Sequence, residues 1–284
     1  MTRMIDAQTV FVGGILCSAL ALGAWKAHIL DRWGAITAFL IGFVTFVFPA
    51  DGWKWFIVLL VFLIVSSYVT HYKYEVKRRK GFAQEKGGAR GWPNVAANGL
   101  VAGVLVLLTP LFQRGPMLAA FLGAVATASA DTLATEIGLL NPTDPRLITD
   151  LRRVVPAGTS GGISVLGEFA TLFGALVIGI TAGLLGITGN PGWSSSVLIG
   201  TTMIAGLAGC SLDSVIGATI QGIYKCRICN KITENRRHCR SPSVPLRGYK
   251  VIDNNVVNLI ATIVGATVAV LLLVYYQPAW YNSG

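Results

Sequence analysis

Phe169 to Leu212, FATLFGALVIGITAGLLGITGNPGWSSSVLIGTTMIAGLAGCSL, is a run of 44 residues without a single charge. A bilayer's hydrocarbon core is about 30 Å thick, and roughly 20 apolar residues in a helix cross it. The run is therefore long enough to cross twice. Gly186-Ile-Thr-Gly-Asn-Pro-Gly192 supplies a turn signal near its middle. Two membrane helices joined at 186–192 are the expectation.

The same reading extends outward over the whole chain. Uncharged or nearly uncharged runs predict eight spans, at about 7–25, 33–49, 53–71, 92–112, 116–138, 161–186, 193–224 and 253–276. Of the 284 residues, 53% are hydrophobic and only 13% charged, and the mean hydropathy is +0.62. Soluble domains carry about 25% charged residues, so a water-facing globule of this size would lack polar surface. A secreted disulfide scaffold and a disordered tail are excluded. So is a nucleic-acid-binding domain, because the net charge of +10 is gathered in short clusters between apolar runs. The fold class is all-α: a polytopic helix bundle whose partner is the lipid bilayer. The first span is not a cleaved signal peptide, since no small-residue cleavage site precedes a polar mature domain. All seven tryptophans, Trp25, Trp33, Trp53, Trp55, Trp92, Trp193 and Trp280, fall at or near span ends, where an aromatic belt is expected.

The basic residues orient the bundle. Twenty of the 23 Lys and Arg lie in the loops near 26–32, 71–91, 139–160 and 225–252; only Arg3, Lys54 and Arg114 fall on the other side. By the positive-inside rule the first set faces the cytoplasm and both termini lie outside. The cell (plasma) membrane is the expected location.

Polar residues are costly within spans, and those that occur usually work or pair. Here they gather at the cytoplasmic ends. Span four opens with Arg90-Gly-Trp-Pro-Asn94 and Asn98; span five approaches the loop through Asp131-Thr132 and Glu136. Gly158-Thr159-Ser160-Gly161-Gly162 leads into span six, with Glu168 behind it. Span seven carries Asp213, Ser214, Gly217 and Gln221, and span eight opens with Asp253-Asn254-Asn255 and Asn258. Asp131, Glu136, Glu168, Asp213 and Asp253 are hard oxygen donors suited to Mg²⁺ carrying a phosphate. The 158–162 glycines let backbone N–H groups turn toward an anion at a helix start. Arg90, Arg146, Arg152, Arg153 and Lys225 are candidate phosphate clamps. Residues 213, 217 and 221 form one i, i+4 stripe, and 254 and 258 another. Asp131 and Glu136 are five apart, about 140° around an ideal helix, so they share a site only if the helix distorts or if they face two neighbouring spans. Glycine pairs can also cap or pack, and asparagines can bond across helices.

The cysteines divide into two groups. Cys17 and Cys210 lie in apolar spans and read as packing residues. Cys226-Arg-Ile-Cys229 followed by His238-Cys239 puts four soft ligands in a short loop, a candidate structural Zn²⁺ site. The alternative is a reduced loop facing solvent.

Several of these clusters resemble the transmembrane protein 19 family, which includes the plant phytyl-phosphate kinase. The matching features are Arg90-Gly91 with Asn98-Gly99; Asp131-Thr132-x-x-Thr135-Glu136-x-Gly138; Val155-Pro156-x-Gly158-Thr159-x-Gly161-Gly162-x-Ser164-x-x-Gly167; Asp213-Ser214-x-x-Gly217-Ala218-x-x-Gln221; and Asp253-Asn254-Asn255-Val256-Val257-Asn258. They span roughly residues 85–276. The 226–239 cysteines stand outside this pattern. The resemblance implies a membrane-embedded kinase of a prenyl (phytyl- or geranylgeranyl-type) monophosphate, with a nucleoside triphosphate, CTP or ATP, as co-substrate. On that reading Asp131, Glu136, Asp213 and Asp253 are the catalytic acids, the first three ligating Mg²⁺. Arg90, Asn94, Asn98, Thr132, residues 158–162, Gln221, Asn254, Asn255 and Asn258 bind substrate and phosphate. Residues 1–80 are an N-terminal three-helix region and 81–276 the catalytic bundle, with cytoplasmic loops 139–160 and 225–252, within a single membrane domain overall. Two rivals stay open: an isoprenoid-lipid cytidylyltransferase, which would release pyrophosphate, and a transporter of an anionic substrate, which would need polar residues on broken helices.

Overall fold

The computed structural model describes residues 6–81, 86–187 and 193–275. Among them are nine α-helices: α1 (Ala7–Lys26), α2 (Arg32–Val47), α3 (Gly52–His71), α4 (Tyr74–Lys80), α5 (Trp92–Leu108), α6 (Arg114–Gly138), α7 (Val165–Leu184), α8 (Ser195–Thr219) and α9 (Asn254–Tyr275). Six of these, α1, α3, α6, α7, α8 and α9, are long and apolar enough to cross a membrane; α2 and α5 are apolar but shorter. The eight sequence spans thus correspond to six full-length helices and two short ones. Short α4 was not foreseen. Residues 188–192 of the 186–192 turn, and Trp280, lie outside the described residues.

Side-chain caps start several helices where the sequence has Asp or Ser. Asp6 accepts the N–H of Thr9 (2.7 Å), Asp31 that of Gly34 (2.8 Å), Ser164 that of Gly167 (3.1 Å) and Ser194 that of Val197 (3.3 Å). The cap at Ser164 corrects the sixth span: residues 161–164 are not helical, and α7 begins at Val165. The seventh span is also shorter than expected. Helix α8 ends at Thr219, and Ile223–Lys225 is a strand.

Helix α6 is the axis of the bundle, packed against α3, α5, α7, α8 and α9. Every residue from Leu118 to Ala130 is buried, and most are Ala, Gly, Ser or Thr, which let neighbouring backbones close in. At Gly174 of α7 a Cβ would lie 2.9 Å from the Ser129 carbonyl, and Ser129 Oγ donates to the Gly174 carbonyl at 2.9 Å. Large apolar side chains such as Phe11, Ile15, Phe169, Phe173 and Leu271 are exposed on the outer faces. Large apolar side chains exposed in such number belong in lipid. The tryptophans divide: Trp25, Trp33, Trp53 and Trp92 are exposed, whereas Trp55 is fully buried, its ring 4.8 Å from that of Phe121, and Trp193 is buried too. Those two belong to the core, not to an aromatic belt.

The loops at the basic end hold small antiparallel sheets that alternation could not reveal, since the strands are two to five residues long. One has the order β2-β1-β3, from β1 (Arg146–Leu147), β2 (Asp150–Val154) and β3 (Gly162–Ile163). A second has the order β5-β4-β8, from β4 (Ile223–Lys225), β5 (Ile232–Thr233) and β8 (Val244–Arg247); β6 (Arg237–His238) pairs with β7 (Ser241–Pro242).

Candidate active site

At the basic end, the C-terminal ends of α6 and α8 and the N-terminal ends of α5, α7 and α9 surround a polar cavity of about 210 Å³. Its walls include Arg90, Asn94, Asp131, Thr132, Glu136, residues 158–162, Glu168, Asp213, Gln221, Asn254 and Asn258. Residues scattered over 169 positions of sequence, from Arg90 to Asn258, thus share one space.

Asp131 and Glu136 both line the cavity despite their separation around α6, because they are held from different sides. The amide of Asn258, on α9, lies between Asp131 and Asp213. In one orientation it donates to Asp131 Oδ2 and Asn98 Oδ1, both at 3.4 Å; turned over, it donates to Asp213 Oδ2 (3.2 Å) and the Asn254 carbonyl (2.7 Å). The second orientation gives the amide the better contacts. Glu136 is instead engaged by Lys77 of α4, whose ammonium is 2.6 Å from Oε2. Lys77 also donates to the carbonyls of Val69 (2.9 Å) and Thr70 (2.8 Å) at the end of α3. The other oxygen, Glu136 Oε1, is buried without a hydrogen-bond partner among the described residues.

Arg90 is set by backbone pairing before α5. Its N–H donates to the Ile29 carbonyl, and its own carbonyl accepts from Asp31 N–H, both at 3.0 Å. The guanidinium donates to Thr70 Oγ1 at 3.0 Å. Burial lowers its pKa, while the charges of Glu136 and Asp131 oppose that shift.

The 158–162 loop is a pair of tight turns. Thr159 N–H donates to the Pro156 carbonyl (3.1 Å) and Gly162 N–H to that of Thr159 (2.9 Å), so those two groups are already used. Gly158 and Gly161 have φ of 76° and 80°, the left-handed region that favours glycine. At Gly161 a Cβ would stand 2.5 Å from Ala218 Cβ and 2.6 Å from the Ser214 carbonyl, so the loop lies directly on α8. Ser160 Oγ donates to Glu234 at 2.5 Å, which brings the β5–β6 connection over the cavity. Arg247 reaches the carbonyls of Gly217 (2.9 Å) and Ala218 (2.7 Å) and so caps α8; burial lowers its pKa, and nearby Arg153 adds to the shift.

Other candidates lie elsewhere. Asp253 caps α9, its Oδ1 accepting the N–H of Asn255 and Val256 at 3.1 Å each, and neither Asp253 nor Asn255 lines the cavity. Asn98 stands behind it, with Nδ2 bonded to the Asn94 carbonyl at 2.9 Å. Arg146, with Nη1 on the Leu151 carbonyl at 2.7 Å, Arg152, Arg153 and Lys225 are exposed and off the wall. Gln221 lines the cavity from just beyond the end of α8, its Nε2 buried with no partner among the described residues. Cys210 also reaches the wall. Two residues were missed: Lys77, hidden in a polybasic run, and Glu234, in a loop read only for its cysteines.

A second cavity, of about 110 Å³, opens between α1, α2, α3 and α5. Cys17, Phe39, Gly42, Phe56 and Leu63 give it an apolar wall. Arg90 and Asn94 line both cavities.

Residues 15–266 match the family described as integral membrane protein DUF92. The chain is 30% identical over 281 residues to Protein PGR of Arabidopsis thaliana, covering 92% of this chain and 95% of that one. It is 32% identical over 263 residues to the uncharacterised membrane protein MJ0933 of Methanocaldococcus jannaschii, covering 93% and 94%. Protein VTE6, chloroplastic, of Arabidopsis thaliana is 25% identical over 257 residues, covering 88% of this chain and 67% of that one. No solved structure matches. Across nearly its whole length, the chain belongs to the DUF92 family of integral membrane proteins.

Proposed function

We propose that the protein is a membrane-embedded prenyl monophosphate kinase, working at the cytoplasmic face with CTP or ATP as phosphoryl donor. The observation that carries this reading is the junction at Arg90 and Asn94. There a polar cavity rich in carboxylates meets an apolar cavity among lipid-facing helices. A prenyl phosphate has this division built in: an apolar tail, and a phosphate that must meet a water-soluble nucleotide. The resemblance to the transmembrane protein 19 family, with its phytyl-phosphate kinase, supports the same chemistry, and so does the likeness to VTE6, which belongs to that family.

The donor set suits a divalent cation. Glu136 Oε1 and Asn94 Oδ1 are buried oxygens without hydrogen-bond partners among the described residues, and Asp131 and Asp213 add carboxylates to the same wall. Mg²⁺ held there by Asp131, Asp213 and Glu136 would neutralise charge on the donor phosphates. Arg90 holds the acceptor phosphate at the mouth of the apolar cavity, and the 158–162 loop with Gln221 Nε2 holds the nucleotide phosphates. An oxygen of the ionised prenyl phosphate attacks the terminal phosphorus of the nucleotide. The bond from that phosphorus to the bridging oxygen breaks, leaving a nucleoside diphosphate and a prenyl diphosphate. The acceptor is already deprotonated, so positioning and charge neutralisation suffice and no general base is needed.

The test is product analysis on purified protein with Mg²⁺, CTP or ATP, and geranylgeranyl or phytyl monophosphate. Nucleoside diphosphate and prenyl diphosphate in equal amounts are expected. Pyrophosphate release would instead mark a cytidylyltransferase. No turnover of either kind, with anion uptake by proteoliposomes, would mark a transporter.

A further inference from the structure

The loop that follows α8 holds a cluster the proposed kinase chemistry does not use. Cys226, just after β4, and Cys229, in the turn to β5, form one pair; His238, at the end of β6, and Cys239, in the turn to β7, form the other. Their candidate ligand atoms all lie within 4.8 Å of one another. Cys229 Sγ is 3.4 Å and Cys239 Sγ 3.3 Å from His238 Nδ1. Tetrahedral zinc, with Zn–S near 2.3 Å and Zn–N near 2.0 Å, sets its ligand atoms about 3.5–3.8 Å apart, close to this spacing. The backbone fits a knuckle as well: Ile228 N–H donates to Cys226 Sγ at 3.4 Å, the kind of contact that orients a ligating thiolate. None of the three thiols is in a disulfide.

The cluster also has a mechanical consequence. Glu234 lies between the two ligand pairs in the chain and accepts the 2.5 Å hydrogen bond from Ser160 of the 158–162 loop. The strands beside it are only two residues long, too short to hold this segment rigidly by themselves.

We propose that Cys226, Cys229, His238 and Cys239 bind one structural zinc ion, which clips the 226–239 segment so that Glu234 is held against Ser160 at the mouth of the polar cavity.

The test is elemental analysis of full-length protein purified without chelators, combined with hydrogen exchange. About one zinc per chain is expected. A mercurial thiol reagent should release that zinc stoichiometrically from the unmodified protein, a readout that does not depend on any variant folding. The Cys226→Ser/Cys229→Ser double variant should retain less than about a tenth of it. Zinc loss should also speed exchange at 226–239 and at 156–162 by roughly tenfold or more. Protein without stoichiometric zinc, zinc undiminished in the double variant, or a disulfide within the cluster would each overturn the site. Zinc lost with no change at 156–162 would overturn the clip. None of these readouts requires kinase activity, so the proposal stands or falls apart from it.

Discussion

The Lys77 ammonium and a Glu136 carboxylate oxygen are 2.6 Å apart, and both side chains are buried. The pair joins α4 to α6 across 59 residues of chain and occupies one Glu136 oxygen, while the other is buried with no hydrogen-bond partner among the described residues. Taking two charges out of water costs several kcal/mol each, and losing one partner strands the other.

Lys77→Met should therefore destabilise the protein by about 3–5 kcal/mol. The double variant Lys77→Met/Glu136→Gln should recover a large part of that loss, since it leaves no unpaired buried charge. Unfolding in mild detergent measures both. Losses that simply add would show that the two residues act independently.

Asp131→Asn keeps the size of the side chain and removes its charge. Prenyl phosphate phosphorylation should fall about a hundredfold or more, with a steeper dependence on Mg²⁺ and little change in stability. Asp253→Asn serves as the contrast. Its side chain caps α9 away from the cavity wall, so this variant should lose about tenfold less activity than Asp131→Asn.

Gly161→Val forces a β-branched residue into the left-handed region and against α8. The backbone strain alone costs about 1–3 kcal/mol. The loop should lift from Ser214 and Ala218, and nucleotide KM should rise. Gly200→Ala, inside α8 where a Cβ meets no described atom within 4 Å, is the control and should leave KM unchanged without lowering stability. Equal behaviour of the two variants would remove the loop from nucleotide binding.

Ala38→Phe would fill the apolar cavity from its α2 wall. Use of long prenyl phosphates should drop by tenfold or more while nucleotide KM stays constant, and shorter chains should suffer less. A chain-length-independent loss would detach this cavity from substrate binding.

The basic end of the bundle faces the cytoplasm on this reading. A cysteine at exposed Gln113 should react with an impermeant thiol reagent in intact cells, and one at exposed Asp144 only after permeabilisation. The opposite pattern would reverse the orientation.

The apolar runs gave the helices legibly, because burial in lipid demands little beyond length and the absence of charge. Helix ends were less legible, since a strand such as Ile223–Lys225 is as apolar as a helix end. The polar clusters at five helix ends were visible as violations of the membrane's preference, and each contributes some of its residues to one cavity. What no local pattern contained was pairing at a distance. Lys77 looks like one more cation in Lys77-Arg-Arg-Lys80, and only the fold brings it to Glu136. Asp253 and Asp131 are the same residue type in polar clusters at helix ends, yet one caps a helix and the other lines the site. Trp55 followed the composition of a belt residue and packs on Phe121.

The arrangement of α6 also bears on how the chain is built. A helix of small residues carrying two acids is a poor passenger in hydrocarbon by itself, because its charges need company and its slim sides need neighbours. Ribosomes make α3 and α4 first, so the cation that Glu136 requires is already in the nascent chain when that acid emerges. Asp131 also follows a nearby cation, Arg90, but Asn258, which lies beside its carboxylate, is translated 127 residues later.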